Sequence, residues 1–216
     1  MKMKDLYIIG AGGFGREVAW LVGRINQVEA TWNIKGFIDD NTSIQGHMED
    51  GYSVMGGTDY LLEQQKEIWV VCAVGLARVR KNIIEKLQSN PNIRFATVID
   101  PSVILSDRVK IGEGTIICAG TILTVDITIG NHVIINLDCT LGHDDVIEDF
   151  VTIYPSVNVS GNVLVETCVE LGTGMQIIQG KKIGKESILG AGAVVVKDIP
   201  EKCTAVGSPA RVIRSW

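Results

Sequence analysis

Residues 111–152 read IGEGTI ICAGTI LTVDIT IGNHVI INLDCT LGHDDV IEDFVT, seven hexads that each open on Ile or Leu. Carried outward at the same step, the opening position runs from Ile99, Leu105 and Ile111 to Ile183, Leu189 and Val195. All seventeen positions in this series are Ile, Leu or Val, with no slip in register across residues 99–200. A period of six fits neither a helix of 3.6 residues per turn nor a plainly alternating strand. It fits a short strand followed by a turn, repeated many times. Three such units close a triangular coil of 18 residues, and seventeen units make about five and two-thirds coils. Each aliphatic side chain points into the coil, where burial contributes roughly 1.5–3 kcal/mol.

The companion positions carry a second pattern. Four residues after most of these aliphatics comes a small or β-branched residue, such as Val103, Thr115, Thr121, Val133, Cys139, Val157 and Ser187. Asp145 and Lys181 interrupt this second inward series, which predicts a local bulge or a side chain that escapes to the surface. One residue after the aliphatic comes Gly, Ser, Asp or Asn in ten of the seventeen repeats, including Gly112, Gly130, Gly142, Gly172, Gly184 and Gly190. These small residues are expected to turn the corners.

Composition agrees with a slender aliphatic coil. Of 216 residues, 46% are hydrophobic, yet only twelve are Phe, Tyr or Trp. Only Phe150, Tyr154 and Trp216 of the twelve lie beyond residue 98, so the aromatics belong to the N-terminal part. A Phe or Trp on the inward series would overpack a core one aliphatic wide.

Charge, cysteine and hydropathy narrow the function classes. The net charge is −5. Residues 1–98 balance at 11 basic and 11 acidic, and residues 99–216 carry 9 and 14. A broad electrostatic grip on nucleic acid is therefore excluded. The five cysteines form no CxxC pair, which reads as reduced thiols in a cytoplasmic protein, and no His/Cys cluster has zinc spacing. The apolar run after Asp5 is short and broken by glycines, unlike a signal peptide, and none reaches membrane-spanning length.

The first 97 residues read as an α/β unit. Leu6–Ile9 is a strand, Gly10-Ala-Gly12-Gly13-Phe14-Gly15 a tight turn, and the chain from Arg16 an amphipathic helix. Gly10, Gly12 and Gly15 fit GxGxxG in the strand–turn–helix context that brings backbone N–H groups to a phosphate. Strands at Ile34–Ile38 and Ile68–Val74 end in Asp39-Asp40 and Gly75; a helix covers Arg78–Leu87, and Phe95–Ile99 makes a fourth strand. Acids after the second strand suit ribose or sugar hydroxyls. An NAD-dependent dehydrogenase would need two mononucleotide halves, and only about one fits before the repeats begin. The expected domains are residues 1–97, 98–200 and a C-terminal tail, 201–216.

There are three histidines. His143 lies two residues past an inward aliphatic, so it points outward, and Asp144 follows it directly. Imidazole titrates near neutrality and suits a general base, and a carboxylate can hold its tautomer. Taken alone, a histidine beside two acids is more often a solvated surface group. His132 reads as a surface turn residue and His47 as part of a polar loop.

Taken together, GAGGFGREVAWL, GFIDD, AVG-x-x-x-x-R and the hexads resemble one family. They look like the bacterial sugar acetyltransferases of the hexapeptide-repeat superfamily, near the sialic acid O-acetyltransferases and the nucleotide-amino-sugar N-acetyltransferases. The resemblance extends to Val206-Gly-Ser-Pro-Ala-Arg-Val-Ile. It implies a Rossmann-like N-terminal domain followed by a left-handed parallel β-helix. The usual right-handed crossover rule would have given the opposite hand.

The resemblance also implies a homotrimer with sites between subunits, acetyl-CoA as co-substrate, and neither metal nor NAD. By motif, it assigns the sugar nucleotide, linked to UDP or GDP, to Gly12, Gly13, Phe14, Asp39, Asp40 and Gly75. It assigns catalysis to Asn136, His143 and Asp144, from the pattern Asn-x6-His-[DE]. Acetyl-CoA falls to Thr152, Gly161, Asn162, Thr173 and Ala191, with the Gly161 N–H facing the thioester carbonyl. Lys181, Lys182 and Lys185 are candidates for the CoA phosphates, or else form a solvated basic face. Two departures stand out: Thr152 and Phe14 occupy positions where some relatives carry histidine. The expected activity is N-acetylation of an amino-dideoxy sugar. The alternatives are a sugar O-acetyltransferase and a non-catalytic nucleotide-binding scaffold.

Overall fold

A computed structural model describes residues 3–216. Residues up to 75 together with 79–101 make one compact unit, and residues 76–78 together with 102–216 make the other.

The first unit is built on a parallel sheet. Its strands are β1 (Lys4–Ile9), β2 (Trp32–Ile38), β3 (Met48–Glu49), β4 (Tyr52–Gly56), β5 (Ile68–Cys72) and β6 (Ile93–Phe95), in the order β3-β4-β2-β1-β5-β6. Only the β3–β4 pair is antiparallel. The central strands are apolar on both faces, as a sheet covered on both sides requires: Leu6, Ile8, Phe37, Ile38, Val70 and Val71 are fully buried. Helix α1 (Gly13–Val28) presents Val18, Ala19, Leu21 and Val22 to this core at helical spacing. Helices α2 (Thr58–Leu62) and α3 (Ala77–Leu87) complete the elements. The β3–β4 hairpin and α2 carry no periodic signal in sequence. The expected strand at 95–99 is two short pieces, Ile93–Phe95 and Val98–Ile99.

The second unit is a parallel β-helix whose coils repeat every 18 residues. On its first face Ile117, Ile135, Ile153, Leu171 and Leu189 stack in register. On the second face Leu105, Leu123, Leu141, Val159, Ile177 and Val195 do so. On the third face Ile111, Ile129, Ile147, Val165 and Ile183 do so. From Ile117 onward every aliphatic of the series is buried. Ile99 and Ile111 are half-buried and Leu105 is 39% exposed. The tail pairs Cys203–Val206 with Ile188–Leu189 and folds Arg211–Ser215 back on it, closing the far end.

Three sequence expectations need correction. The corner turns three residues after each aliphatic rather than one. Every sixth residue from Gly114 to Gly192 has positive φ, including Asp126, Asp138, Asp144 and Asn162. The glycines directly after the aliphatics serve close approach instead. A Cβ on Gly142 would lie 2.4 Å from Gly161 N, and one on Gly112 would lie 2.5 Å from the Gly130 carbonyl.

His132 is not a surface residue. It is 3% exposed, and its ring stacks on Phe150 of the next coil at 5.2 Å and 12°. A Cβ on Gly114 would collide with that ring from the preceding coil, so the corner column shields it on both sides.

Asp145 neither bulges nor escapes. Val146 and Ile147 keep ladder register with both neighbouring coils, and Asp145 is 0% exposed. The half-buried Lys181 likewise precedes strand residues in register.

Candidate active site

The corner between the second and third faces carries His143 and Asp144, with Gly161 and Asn162 one coil further on. Local backbone bonds fix this corner: Gly142 N–H donates to Val159 O at 2.9 Å, and Asn162 N–H donates to His143 O at 2.7 Å. Asp144 takes the left-handed conformation at φ 62°, which Asp tolerates better than most side chains. Its Oδ2 lies 2.8 Å from His143 Nδ1. An ionised carboxylate can only accept, so in the neutral imidazole Nδ1 carries the proton and Nε2 presents its lone pair. The His143 side chain is 52% exposed, and the edge bearing Nε2 lies over Gly161. A Cβ on Gly161 would stand 2.5 Å from Nε2, 2.6 Å from Cε1 and 2.7 Å from Cδ2. Any side chain there would displace the ring. The Gly161 N–H is engaged by no partner among the described residues.

Among the other expected site residues, Asn136, Thr173 and Ala191 lie at or beside the corner between the first and second faces. Thr173 and Ala191 occupy the same place on successive coils, with Gly172 N–H donating to Leu189 O and Gly192 N–H donating to Thr173 O. Asn136 is half-buried and turns its Oδ1 onto the N–H of Leu137 at 2.8 Å. The second face, with Thr140, Asn158 and Gln176 pointing outward, separates the two corners. Thr152 stands apart from both corners. It lies on the first face between Ile134 and Glu170 and is 1% exposed, so it offers CoA no surface in this chain.

Two of the three lysines pair with neighbouring acids. Lys182 pairs with Glu166 at 2.6 Å and Lys185 with Glu201 at 3.2 Å. The lysine holds the Glu166 carboxyl below its ordinary range.

In the N-terminal unit, the expected ligand residues cluster at the carboxyl ends of β1, β2 and β5, where the strand order reverses. In open α/β sheets this is where ligands bind. Gly12 and Gly13 open α1, are exposed, and have nothing within 4 Å of where a Cβ would be. Phe14 beside them is half-buried. Gly15 fits the motif's third role, since a Cβ there would lie 1.8 Å from Gly10 O. Asp39 Oδ2 accepts from Ala11 N–H at 3.0 Å and Oδ1 from Asn41 N–H at 2.9 Å, which ties the glycine turn to the end of β2. Asp40 has a different structural task, accepting at Oδ1 from the N–H of Thr58, the first residue of α2, at 2.7 Å.

Gly75 is held from below by the 1%-exposed Arg80, whose Nη1 donates to Val74 O at 2.6 Å and Gly75 O at 3.1 Å. The arginine of the AVG-x-x-x-x-R motif therefore supports the loop at the end of β5. Its fixed spacing to Gly75 was the available signal for this role.

The five cysteines are all free and buried, and burial pushes the thiols of Cys72 and Cys139 up to about 11. Among the described residues no group of three or more His, Cys, Asp or Glu could hold a metal ion. No helix of the described residues is long and apolar enough to cross a membrane.

A histidine held by a carboxylate, with an unspent N–H beside it on a β-helix corner, is an arrangement chemically able to serve acyl transfer. Comparison with known proteins gives the family. The PglD N-terminal domain family matches residues 5–87. The acetyltransferase domain of PglB from Neisseria gonorrhoeae, solved in complex with acetyl coenzyme A, is 31% identical with a TM-score of 0.89. That match covers 98% of this chain and 100% of that one. A His-to-Asn mutant of perosamine N-acetyltransferase from Caulobacter crescentus, in complex with CoA and GDP-perosamine, is 28% identical with a TM-score of 0.87. It covers 99% of this chain and 98% of that one.

The galactoside O-acetyltransferase of Lactococcus lactis is 37% identical over 96 residues, 41% of this chain, and the chain spans only 43% of that protein's length. The chain belongs to the bacterial sugar acetyltransferases of the hexapeptide-repeat superfamily, and its coil is their left-handed parallel β-helix.

Proposed function

We propose that this chain transfers the acetyl group of acetyl-CoA to the amine of a nucleotide-linked (UDP or GDP) amino-dideoxy sugar in bacterial glycan biosynthesis. The observation that carries the reading is the His143 ring, oriented by Asp144 and seated over Gly161. The neutral sugar amine attacks the thioester carbonyl carbon. His143 Nε2 takes the proton from the attacking nitrogen, and the Gly161 N–H stabilises the tetrahedral oxyanion. The intermediate then collapses, the C–S bond breaks, and the imidazolium returns a proton to the leaving thiolate. Products are the N-acetylated sugar and CoA. Oxyanion donors of this kind contribute roughly 2.7–4 kcal/mol where they have been removed.

Asn162, Thr173 and Ala191 line the path for CoA on this reading, and Asn136 supports the catalytic segment. Gly12, Gly13, Phe14, Asp39, Asp40 and Gly75 receive the sugar nucleotide. The protein works in the cytoplasm as a homotrimer, in which a neighbouring chain completes each CoA groove. Support for the amine acceptor comes from the GDP-perosamine complex of the Caulobacter relative. The galactoside O-acetyltransferase likeness favours a second reading, in which a sugar hydroxyl takes the acetyl group on the same machinery.

The test incubates the protein with acetyl-CoA and a panel of UDP- and GDP-linked 4-amino sugars, galactosides and sialic acid, and follows free thiol. Release with an amino sugar and not with its hydroxyl counterpart is expected. Wild-type turnover by His143→Ala would remove the proposed base, and silence across the whole panel would sink the catalytic reading.

A further inference from the structure

Asp145 is the one acid among the described residues that occupies the inner wall of the β-helix, and the site above does not use it. The uncharged polar residues at equivalent inward positions follow a common rule. Thr115 Oγ1 accepts from Val133 N–H, eighteen residues on, and donates to Gly130 O, fifteen residues on. Thr121 treats Cys139 N–H and Asn136 O in the same way. Cys139 Sγ reaches Tyr154 O, again fifteen residues on. Ser187 accepts from Cys203 N–H and donates to Pro200 O, the same pair after a two-residue slip in register.

Asp145 makes the first half of this bond pair: its Oδ1 accepts from Val163 N–H, eighteen residues on, at 2.9 Å. Its Oδ2 is buried and no donor reaches it. The carbonyl fifteen residues on belongs to Ser160. At two later corners the carbonyl is taken by its own turn. Met175 N–H donates to Gly172 O and Ala193 N–H to Gly190 O, where the inward residue one coil earlier is Val157 or Met175. At the Ser160 corner the matching N–H, that of Val163, has been diverted to Asp145. An ionised Asp145 would leave a buried charged oxygen with no donor. A protonated one completes the pair its neighbours make.

We propose that Asp145 is a positioning residue: held as the neutral acid, it donates from Oδ2 to the Ser160 carbonyl and so fixes the Ser160–Gly161 peptide plane. The other end of that plane is the Gly161 N–H, so the inference rests on the oxyanion role given to Gly161 above. Burial pushes the carboxyl up to about 7. The backbone at Val163 and Gly142, and then the nearby His143, pull it down, while Asp144 pushes it up. In its own column Asp145 lies between Ile127 and Val163, with Lys181 a further coil beyond Val163. Donation to Ser160 favours the neutral form further.

Two experiments test this. In wild-type protein with carboxyl-13C aspartate, the Asp145 resonance, assigned by its loss in Asp145→Asn, should titrate at pH 7 or above. A midpoint in the ordinary carboxylate range overturns the proposal, whatever the enzyme's substrate. Kinetically, Asp145→Asn keeps an acceptor for Val163 and a donor for Ser160, so kcat should stay near wild type. Asp145→Val supplies neither, and kcat should fall about 10²-fold with the KM for the sugar unchanged. Equal kcat for Val and Asn, or loss in both, overturns the positioning role. An inactive His143→Ala alongside these results would leave the catalytic reading intact.

Discussion

Placing a methyl group on Gly161 separates the chemistry of the site from the stability of the fold. The added Cβ would stand 2.5–2.7 Å from three atoms of the His143 ring. An ordinary contact is about 3.5 Å, so the ring must retreat by roughly 1 Å. It is half exposed and can swing into solvent, breaking its 2.8 Å contact with Asp144. Gly161 does not take the left-handed conformation, so alanine meets no backbone penalty there. Stability should therefore change little, because alanine in place of glycine also restricts the unfolded chain by about 0.4–1 kcal/mol. A 1 Å misplacement of a reacting group costs on the order of 10²-fold, which corresponds to about 2.7 kcal/mol of barrier.

The assay pairs thiol-release kinetics with a thermal melt. Gly142→Ala is the control, since its Cβ would strike backbone atoms of Gly161 and Ser160 that cannot move aside. Gly161→Ala should melt like wild type and lose kcat, whereas Gly142→Ala should lose stability. Wild-type kcat in Gly161→Ala would show that the ring does not work from this position.

The remaining predictions concern both units. Gly15→Ala drives a Cβ to 1.8 Å from Gly10 O and should destabilise the N-terminal unit by several kcal/mol; urea unfolding followed by tryptophan fluorescence would read it, since all Trp except Trp216 lie there. Asp39→Ala removes the acceptor for Ala11 and Asn41 N–H and should raise the KM for the sugar nucleotide about tenfold with that for acetyl-CoA unchanged, by steady-state kinetics. Because the Asp145 carboxyl is raised from 3.8 to about 7 on folding, its stabilisation is complete below pH 3.8 and is lost as pH rises towards 7. This amounts to about 4 kcal/mol at 1.36 kcal/mol per unit. Asp145→Asn should lack that decline and exceed wild type at pH 8; parallel stability curves in urea from pH 4 to 8 would refute it.

The coil was legible because its information is periodic and redundant. Seventeen aliphatic positions specify three faces even though none does so alone. The corner geometry was misplaced because residue type is a weak guide there. Five of the fourteen positive-φ corners are Gly, but others are His132, Phe150, Cys168 and Glu186, held in that conformation by the ladder bonds of adjacent coils. His132 was misread for the same reason: its burial depends on Gly114 and Phe150, each eighteen residues away. The N-terminal glycines were readable from local turn chemistry, while the support Arg80 gives to Gly75 needed the folded loop. His143 and Asp144 are adjacent in sequence, so their pairing could be anticipated. The seating of the ring over Gly161 could not, because it depends on how one coil lies on the next.

A repeat of this regularity makes its exceptions informative. Each coil has three equivalent corners, and most differ only in which small or polar side chains they carry. At the corner of His143 three departures coincide. One is an imidazole held by its neighbour, another is a glycine one coil on whose Cβ position that ring occupies, and the third is an acid on the inner wall. Stability alone explains none of them. The inner wall accepts Val or Ile at Asp145's place, as Ile127 and Val163 do on the adjoining coils. Burial of an acid costs stability at neutral pH, and a fold that tolerates that cost beneath a carboxylate-held histidine is using the acid to arrange the backbone above it.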